Sequence, residues 1–135
     1  HTFVALQGGY DFPVIRNLPG TIVPDSGQMQ AVLIKLDANG VLRESSFLGG
    51  PGVLEPYTIE VSEEMIFMLG GVSRDKLNQI TANAVEPIAS FAQPNDNWGC
   101  GYFCILTADI DSIIYASYID PATTAGGWKI SGGRK

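Results

Sequence analysis

Residues 33–42 read LIKLDANGVL, with two apolar runs on either side of Asp37-Ala38-Asn39-Gly40. An Asn-Gly pair between apolar runs is the strongest short-range signal for a β-hairpin, because both residues tolerate the left-handed conformation of a tight turn. The Asp37 carboxylate can also accept hydrogen bonds from the turn amides. This stretch therefore predicts two antiparallel strands joined by a short turn.

The same kind of pattern continues along the chain of 135 residues. Short apolar or alternating runs, several of which end in a Gly pair, predict about seven strands. These predicted strands are residues 2–6, 31–36, 41–48, 57–61, 65–69, 102–106 and 113–119. Residues 75–85 alone show helical spacing, and they are predicted to form a loop because the run is short and Pro87 follows it. We therefore expect one all-β module over residues 1–135.

Part of the sequence is repeated. Residues 33–42 align without a gap with ILTADIDSII at 105–114, an offset of 72 positions. Upstream, FVALQG at 3–8 aligns with IFMLGG at an offset of 63, which predicts a loop about nine residues longer in the second copy. SSFL at 45–48 aligns with ASYI at an offset of 71. Such self-similarity is typical of stacked supersecondary units.

Three segments of the first copy resemble the bacterial β-propeller repeat called SBBP. They are DFP at 11–13, AVLIKLDANG at 31–40 and SSFLGG at 45–50. The second copy departs from this pattern, with Arg74-Asp75-Lys76 in place of DFP and Asp120-Pro121 in place of the Gly pair. The resemblance implies an extracellular, periplasmic or cell-surface protein whose motifs build propeller blades, and it assigns no active-site residue.

The expected architecture is two consecutive antiparallel propeller-like blades of about four strands each, with a compact β-sandwich as the alternative. The first blade-like repeat is predicted over residues 2–56, the second over 57–120, and a Gly-rich tail over 121–135. A propeller needs roughly four to eight blades around its axis. Because two copies cannot close such a ring, the open apolar blade faces are expected to need cover from another chain or from further sequence.

Composition narrows the choice of partner. A net charge of −6 argues against nucleic acid and against an anionic membrane surface. No apolar run reaches the ~18–20 residues that span a bilayer, and no signal peptide is expected. The basic residues Lys129, Arg134 and Lys135 are interpreted as a solvated terminus. A protein partner or self-association is therefore predicted, with carbohydrate as a further partner class.

Enzymatic and metal chemistry find little support in these residues. His1 is the single histidine, so neither a copper site with two histidines nor a catalytic triad can be assembled. The pairs Glu63–Glu64 and Asp109–Asp111 fall in predicted turns, where exposed carboxylates lack the apolar pocket that raises the pKa of a catalytic acid. A hydrolase that uses such a pair is the weakest hypothesis. We expect no enzyme, no cofactor and no metal.

The candidate contact residues are three aromatic side chains, Trp98, Tyr102 and Trp128, each beside or near glycines. Phe103 joins Trp98 and Tyr102 in a candidate stacking platform for a sugar. Such rings either stack on a sugar or partner, or pack in the core. Cys100 and Cys104 either form a small loop disulfide or stay as two buried thiols. The predicted function is a non-enzymatic structural or interaction module of an extracellular or cell-envelope assembly, docking through open blade faces. The alternative is a carbohydrate-binding module that forms an oligomeric propeller.

Overall fold

The computed structural model describes residues 1–77, 79–85 and 101–119. These residues form seven strands and no helix, which confirms the all-β prediction. In chain order the strands are β1 (Thr2–Gly9), β2 (Met29–Leu36), β3 (Leu42–Leu48), β4 (Pro51–Val61), β5 (Met65–Leu77), β6 (Gly101–Thr107) and β7 (Ile113–Ile119). The second half of the predicted loop at 75–85 is irregular, whereas β5 extends to Leu77.

The strands form two antiparallel sheets in which each strand pairs with its neighbours in sequence. The first sheet has the order β1-β2-β3, and the second has the order β4-β5-β6-β7. The second sheet begins at Pro51, six positions before the predicted start of the second repeat at Tyr57. Pro56 lies at a register shift of β4, where a missing amide proton costs no regular ladder bond.

The link between the sheets requires glycine. Gly49 and Gly50 have φ values of +119° and +102°, a region that L side chains rarely adopt. A Cβ at Gly49 would meet the Gln30 side chain, and one at Gly50 would meet Ile22. Gln30 is buried and accepts a hydrogen bond from Leu54 N at 2.7 Å, so its amide ties β2 to β4. Both glycines of the Gly pair at 49–50 therefore have a structural role.

The two sheets pack face to face around one main core. Side chains on alternate positions of each strand point to the same side, and on both sheets one such side enters this core. We call these sides the inner faces. The buried apolar members of the core are Leu18, Ala31, Leu33, Leu48, Leu54, Ile66, Met68, Val72, Tyr102, Cys104, Leu106, Ile110, Ala116 and Tyr118.

The other side of the first sheet is buried under a loop, and we call it the covered face. Val32, Ile34 and Phe47 form a second, smaller core there, with Phe12 and Val14 of residues 10–28 packed against it. The DFP and SSFLGG segments are joined by a hydrogen bond, in which Ser45 Oγ donates to Pro13 O at 3.0 Å.

The same loop also protects the edge of the first sheet. Arg16 N donates to Ser45 O, and Leu18 N donates to Ser46 Oγ at 2.7 Å. Phe47 N also donates to Asn17 Oδ1, so the loop pairs both a backbone carbonyl and a backbone amide of β3 that would otherwise offer an open edge to another chain. Leu18 then enters the main core. The loop therefore belongs to the packed structure of the first sheet.

A buried glutamine joins the first sheet's loop to the second sheet. Gln79 Oε1 accepts from Gly49 N at 2.6 Å, and Gln79 Nε2 donates to Pro19 O and Thr21 Oγ1. The Tyr102 hydroxyl donates to Gln79 O at 3.0 Å. Because a buried amide that loses its partners is costly, this node holds the two sheets in one relative position.

Candidate functional site

The β2–β3 and β6–β7 hairpins are built alike, and their bulges align them. The strand register shifts between Lys35 and Leu36 in the first hairpin and between Ile105 and Leu106 in the second. Gly40 has a φ of +77° in the first turn, and Ile110 has a φ of +51° at the matching place in the second. Both comparisons relate β2 to β6 and the two left-handed turn residues by 70 positions, and the strands after the turns, β3 and β7, are related by 71, as SSFL and ASYI predicted.

The backbone bonds of the turns give the same alignment, because Gly40 N donates to Asp37 O and Ile110 N donates to Thr107 O. The amides of Asn39 and Val41 donate to Asp37 Oδ1 at 2.8 and 3.0 Å. In the second turn, the amides of Asp111 and Ser112 donate to Thr107 Oγ1 at 3.3 and 3.2 Å. Thr107 therefore does in the second hairpin what Asp37 does in the first.

The structure corrects the sequence alignment of the repeats. The predicted offset of 72 made Asp109 the counterpart of Asp37, and the bulges show an offset of 70. The predicted offset of 63 for the first strand becomes 64, because Phe3 pairs with Lys35 as Phe67 pairs with Ile105. The extra length of the second copy is thus six residues, not nine. An alignment based on the turn sequences gives the wrong offset here, because the bulge determines the strand register and the identity of the turn residues does not.

This alignment shows how the two sheets are related. The three residues buried in the covered face correspond to three residues that point into the main core. The pairs are Val32 with Tyr102, Ile34 with Cys104, and Phe47 with Tyr118. The three residues of the first sheet point away from the second sheet. Their three counterparts on the second sheet point toward the first sheet, so equivalent faces of the two sheets point in the same direction. A two-fold arrangement would turn equivalent faces toward each other. The sheets are therefore stacked head to tail.

The second sheet has an outward side rich in aromatic rings, which we call the outer face. Its residues alternate with core residues along β5, β6 and β7, and Tyr57 of β4 joins them. They are Tyr57, Phe67, Leu69, Phe103, Ile105 and Tyr115. The rings of Phe103 and Tyr115 lie 6.2 Å apart at an angle of 53°, a tilted geometry that stabilises aromatic pairs. Four of these six side chains are thus aromatic on one sheet surface.

Burial and charge vary across the outer face. Leu69 is 8% exposed, Tyr57 is 50% exposed, and Phe67, Phe103, Ile105 and Tyr115 lie between these values. The Tyr57 ring lies over Gly71, where any Cβ would collide with it. Burial, and then the charge of Glu55, raise the pKa of Tyr57, so its phenol is neutral at ordinary pH. The outer face is apolar with an acidic border on β4.

The outer face corresponds to a surface that is covered elsewhere in the same chain. Phe67 matches Phe3, Phe103 matches Leu33, and Ile105 matches Lys35 on the inner face of the first sheet. That inner face packs against the second sheet. The outer face is therefore the type of surface that the next sheet of such a stack would cover.

A shallow cleft also opens at the hairpin end of the two sheets. It is lined by His1, Phe3, Lys35, Ile59, Val61, Ser62, Glu63 and Ala108. Lys35 Nζ lies 2.6 Å from Asp109 Oδ1 and 5.7 Å from the centre of the Phe3 ring, so its charge is already engaged. Glu63, Glu64, Asp109 and Asp111 are exposed, as predicted. This cleft brings together no carboxyl pair in an apolar environment.

The structure places Tyr102 and Cys104 in the core. Tyr102 is 0% exposed, so of its two predicted roles it has the packing role and is not a surface contact. Cys104 is a buried free thiol, and burial raises its pKa well above the usual range, which makes it a poor nucleophile. Of the two alternatives for Cys104, the structure therefore shows the buried thiol. Trp98, Cys100 and Trp128 lie outside the described residues, so contacts of the two tryptophans and a buried thiol at Cys100 stay predictions.

Sequence reasoning named Phe103 of the outer face as part of a stacking platform, but it missed the surface as a whole. Phe67, Phe103 and Ile105 belong to runs that are apolar on both sides, so no alternation of polar and apolar residues marked one side as outward. The signal that could have found them is their spacing of two along each strand, once Met68 and Cys104 are assigned to the core.

Among residues 1–77, 79–85 and 101–119, no three His, Cys, Asp or Glu side chains are grouped so that they could hold a metal ion. In the same part of the chain, no helix has the length and apolar character needed to cross a membrane. Comparison with family models, with curated proteins and with solved structures gives no match to this chain.

Proposed function

We propose that this chain is a non-enzymatic structural module that joins a larger assembly through the outer face of its second sheet. The observation that supports this proposal is the equivalence between the outer face and the inner face of the first sheet, which packs against the second sheet. Because the sheets are stacked head to tail, the same packing can continue at the outer face. The SBBP resemblance adds that the assembly is extracellular or part of the cell envelope.

Burial of the outer face by a partner would be energetically favourable. Full burial of one large apolar side chain contributes about 1.5–3 kcal/mol. Five of the six outer-face side chains retain exposed surface, and four of the six are aromatic. Aromatic residues are enriched where protein interfaces are tightest. A partner with a flat apolar surface would therefore gain stability here without any new charge pairing.

Hydroxyl-radical footprinting of the purified chain at low concentration tests this proposal. We expect Phe103 and Tyr115 to be oxidised at rates between those of exposed Tyr57 and buried Tyr102. Tyr102 and Tyr57 are matched internal references, since both are tyrosines of the same sheet. If Phe103 and Tyr115 were as protected as Tyr102, the outer face would already be filled within one chain and the docking proposal would fail.

A second candidate function is carbohydrate binding. The specific observation in its favour is the set of four aromatic rings on one sheet surface, since sugar rings stack on such side chains. A glycan array compares the chain with its Phe103→Ala variant, and with Trp98→Ala to test the predicted contact. Binding that either change weakens supports this candidate. An array without signal for the unaltered chain rejects it.

A further inference from the structure

The proposed function leaves the partner of the outer face open, and the following inference rests on that function. We propose that the partner is a second copy of this chain, which docks head to tail by placing the covered face of its first sheet, together with the loop of residues 10–28 that lies over it, on the outer face. The contact between the two sheets within one chain is the template for this docking.

The template contact brings together two different surfaces. The first sheet contributes its inner face, with Phe3, Ala5 and Leu33. The second sheet contributes Tyr102, Cys104 and Tyr118 of its inner face, together with Ile80 of the loop after β5. The counterpart of the first surface is the outer face, and the counterpart of the second surface is the covered face, on which Phe12 and Val14 of the loop pack. Each chain therefore carries a counterpart of both halves of this contact, one at each end of the stack.

The loop over the covered face leaves apolar side chains of its own exposed at this end of the stack. Arg16 N donates to Ser45 O, and Thr81 N donates to Ala116 O at the equivalent place in the second sheet. The preceding residues, Ile15 and Ile80, therefore correspond. Ile80 packs against the main core, whereas Ile15 is 54% exposed and nearby Tyr10 is 55% exposed. The apolar residue that the template buries is thus left in solvent on the first sheet.

The charged residues at the contact within one chain can be compared with their counterparts at the proposed contact between two copies. Within the chain, the contact is crossed by an ion pair between Lys35 and Asp109 at 2.6 Å. On the outer face the counterpart of Lys35 is Ile105, and in the first turn the counterpart of Asp109 is Asn39. Both members of the ion pair are therefore replaced by neutral residues. Had only one been replaced, the next contact would bury an unpaired charge.

A second charged contact follows the same rule. Arg16 Nη2 donates to Asp109 O at 3.4 Å across the template contact. The counterpart of Arg16 is Thr81, which would face the neutral Asn39 of the next copy. The positions that match Lys35, Arg16 and Asp109 are therefore neutral on both sides of the contact between copies. No charge is left unpaired at these positions when the two surfaces meet.

Head-to-tail contacts form a ring or an open filament, depending on the angle between successive units. With two sheets per chain, a closed ring of about four to eight sheets takes about two to four copies. In either case both ends of each chain are used, and the number of copies does not affect the test that follows.

A complementation experiment distinguishes this docking from any other. Ile105→Lys blocks the outer face, and Ile15→Glu blocks the covered face. We expect the unaltered chain to show a solution mass of more than one copy by light scattering, and each variant alone to be monomeric. A mixture of the two variants should form a one-to-one pair, because each supplies the surface that the other lacks. Ile22→Lys, at an isoleucine that is 45% exposed beside the link, is the matched control and should leave association unchanged.

A charge rescue tests the register of the contact. Ile105→Lys should raise the dissociation constant at least about tenfold, because it buries an unpaired cation. Adding Asn39→Asp to the same chain recreates the ion pair of the template and should recover association. Circular dichroism and urea unfolding of each variant establish that it is folded.

Three results would overturn the inference. The first is an unaltered chain that stays monomeric at about 0.1 mM, although its outer face is oxidised freely, in which case the proposed function stands with a different partner. The second is an Ile15→Glu variant that still self-associates, since two outer faces would then meet each other. The third is a double variant as weak as Ile105→Lys alone. Protection of the outer face in the dilute monomer would remove the proposed function as well.

Discussion

The first and second sheets form the same hairpin with different side chains. In the first turn a glycine takes the left-handed position, and an aspartate accepts the turn amides. In the second turn Ile110 takes that position, and Thr107 accepts the amides. Ile110 is 2% exposed and packs in the main core, whereas a Cβ at Gly40 would meet nothing within 4 Å. The comparison shows that burial of a side chain can offset a backbone strain of about 1–2 kcal/mol.

The sheets differ as well in what covers their equivalent faces. The covered face is buried by a loop of its own sheet, with Phe12 and Val14. Its counterpart on the second sheet is buried mainly by the first sheet. Equivalent surfaces are thus buried at both places, and what differs is the element that buries them. The outer face is the surface for which the described residues provide no covering sheet.

The largest effect expected from a change at one of these matched positions is at the left-handed residue. Ile110→Gly removes a buried side chain, which costs about 2–5 kcal/mol, adds about 0.5–1 kcal/mol of chain entropy lost by glycine on folding, and relieves about 1–2 kcal/mol of backbone strain. We expect a net loss of about 3 kcal/mol in the free energy of unfolding, measured in urea. The reciprocal change Gly40→Ala is the control and should cost about 1–2 kcal/mol, since strain is its main effect. A stabilised Ile110→Gly variant would show that the strain outweighs the burial.

An intermediate effect is expected at the polar node between the sheets. Gln79→Ala leaves Gly49 N and Pro19 O without their amide partner in a buried site. The expected loss is about 1–3 kcal/mol of unfolding free energy. Gln28→Ala is the matched control, because that exposed side chain accepts one bond from Asp25 N at 3.4 Å. Equal losses for both variants would mean that Gln79 does not join the two sheets.

The smallest expected effect is on the pH dependence of the free energy of unfolding. The two turns differ here, because the first turn is capped by a carboxylate and the second by a hydroxyl. Hydrogen bonding from Val41 N, and then from Arg43, lowers the pKa of Asp37. A carboxyl group with a lowered folded pKa stabilises the fold above its unfolded pKa, about 3.9, and loses that contribution as the pH falls through the folded value. The contribution of the first turn should therefore be lost on acidification below about pH 4.

Asp37→Thr tests this dependence by copying the hydroxyl that the second turn uses at Thr107. The variant should show a shallower fall of unfolding free energy between about pH 4 and pH 2, because a hydroxyl does not titrate in that range. Urea unfolding at a series of pH values measures both chains. A variant with the same acid slope as the unaltered chain would assign the acid sensitivity to other carboxylates, of which Asp111 has a pKa lowered by its bond from Thr107.

Local patterns were sufficient to predict the fold class and the first hairpin. The Asp37-Ala38-Asn39-Gly40 turn is confirmed in detail, because both its left-handed glycine and its capping carboxylate depend on residues next to each other in sequence. The second hairpin was found at nearly the right place, but its capping residue was assigned to Asp109. Thr107 resembles an ordinary strand residue, and Ile110 is a poor match to any turn pattern.

The candidate surface was less accessible to prediction. Tyr102 was proposed as a contact residue and lies in the core, while Phe103, the next residue, lies on the outer face. Neighbours on a strand point to opposite sides, so a shift of one residue in register exchanges core and surface. The sequence of β6 is apolar on both sides and contains nothing that selects one register.

Composition, glycine-bounded apolar runs and one Asn-Gly turn were enough to determine an all-β chain with a repeated hairpin, since strand alternation and turn chemistry act between residues close in sequence. Tertiary structure alone decided which side of each strand is buried, where the bulges lie and that the two sheets stack head to tail. Those features depend on contacts between residues such as Gln79 and Gly49, 30 positions apart, which form only when the sheets pack.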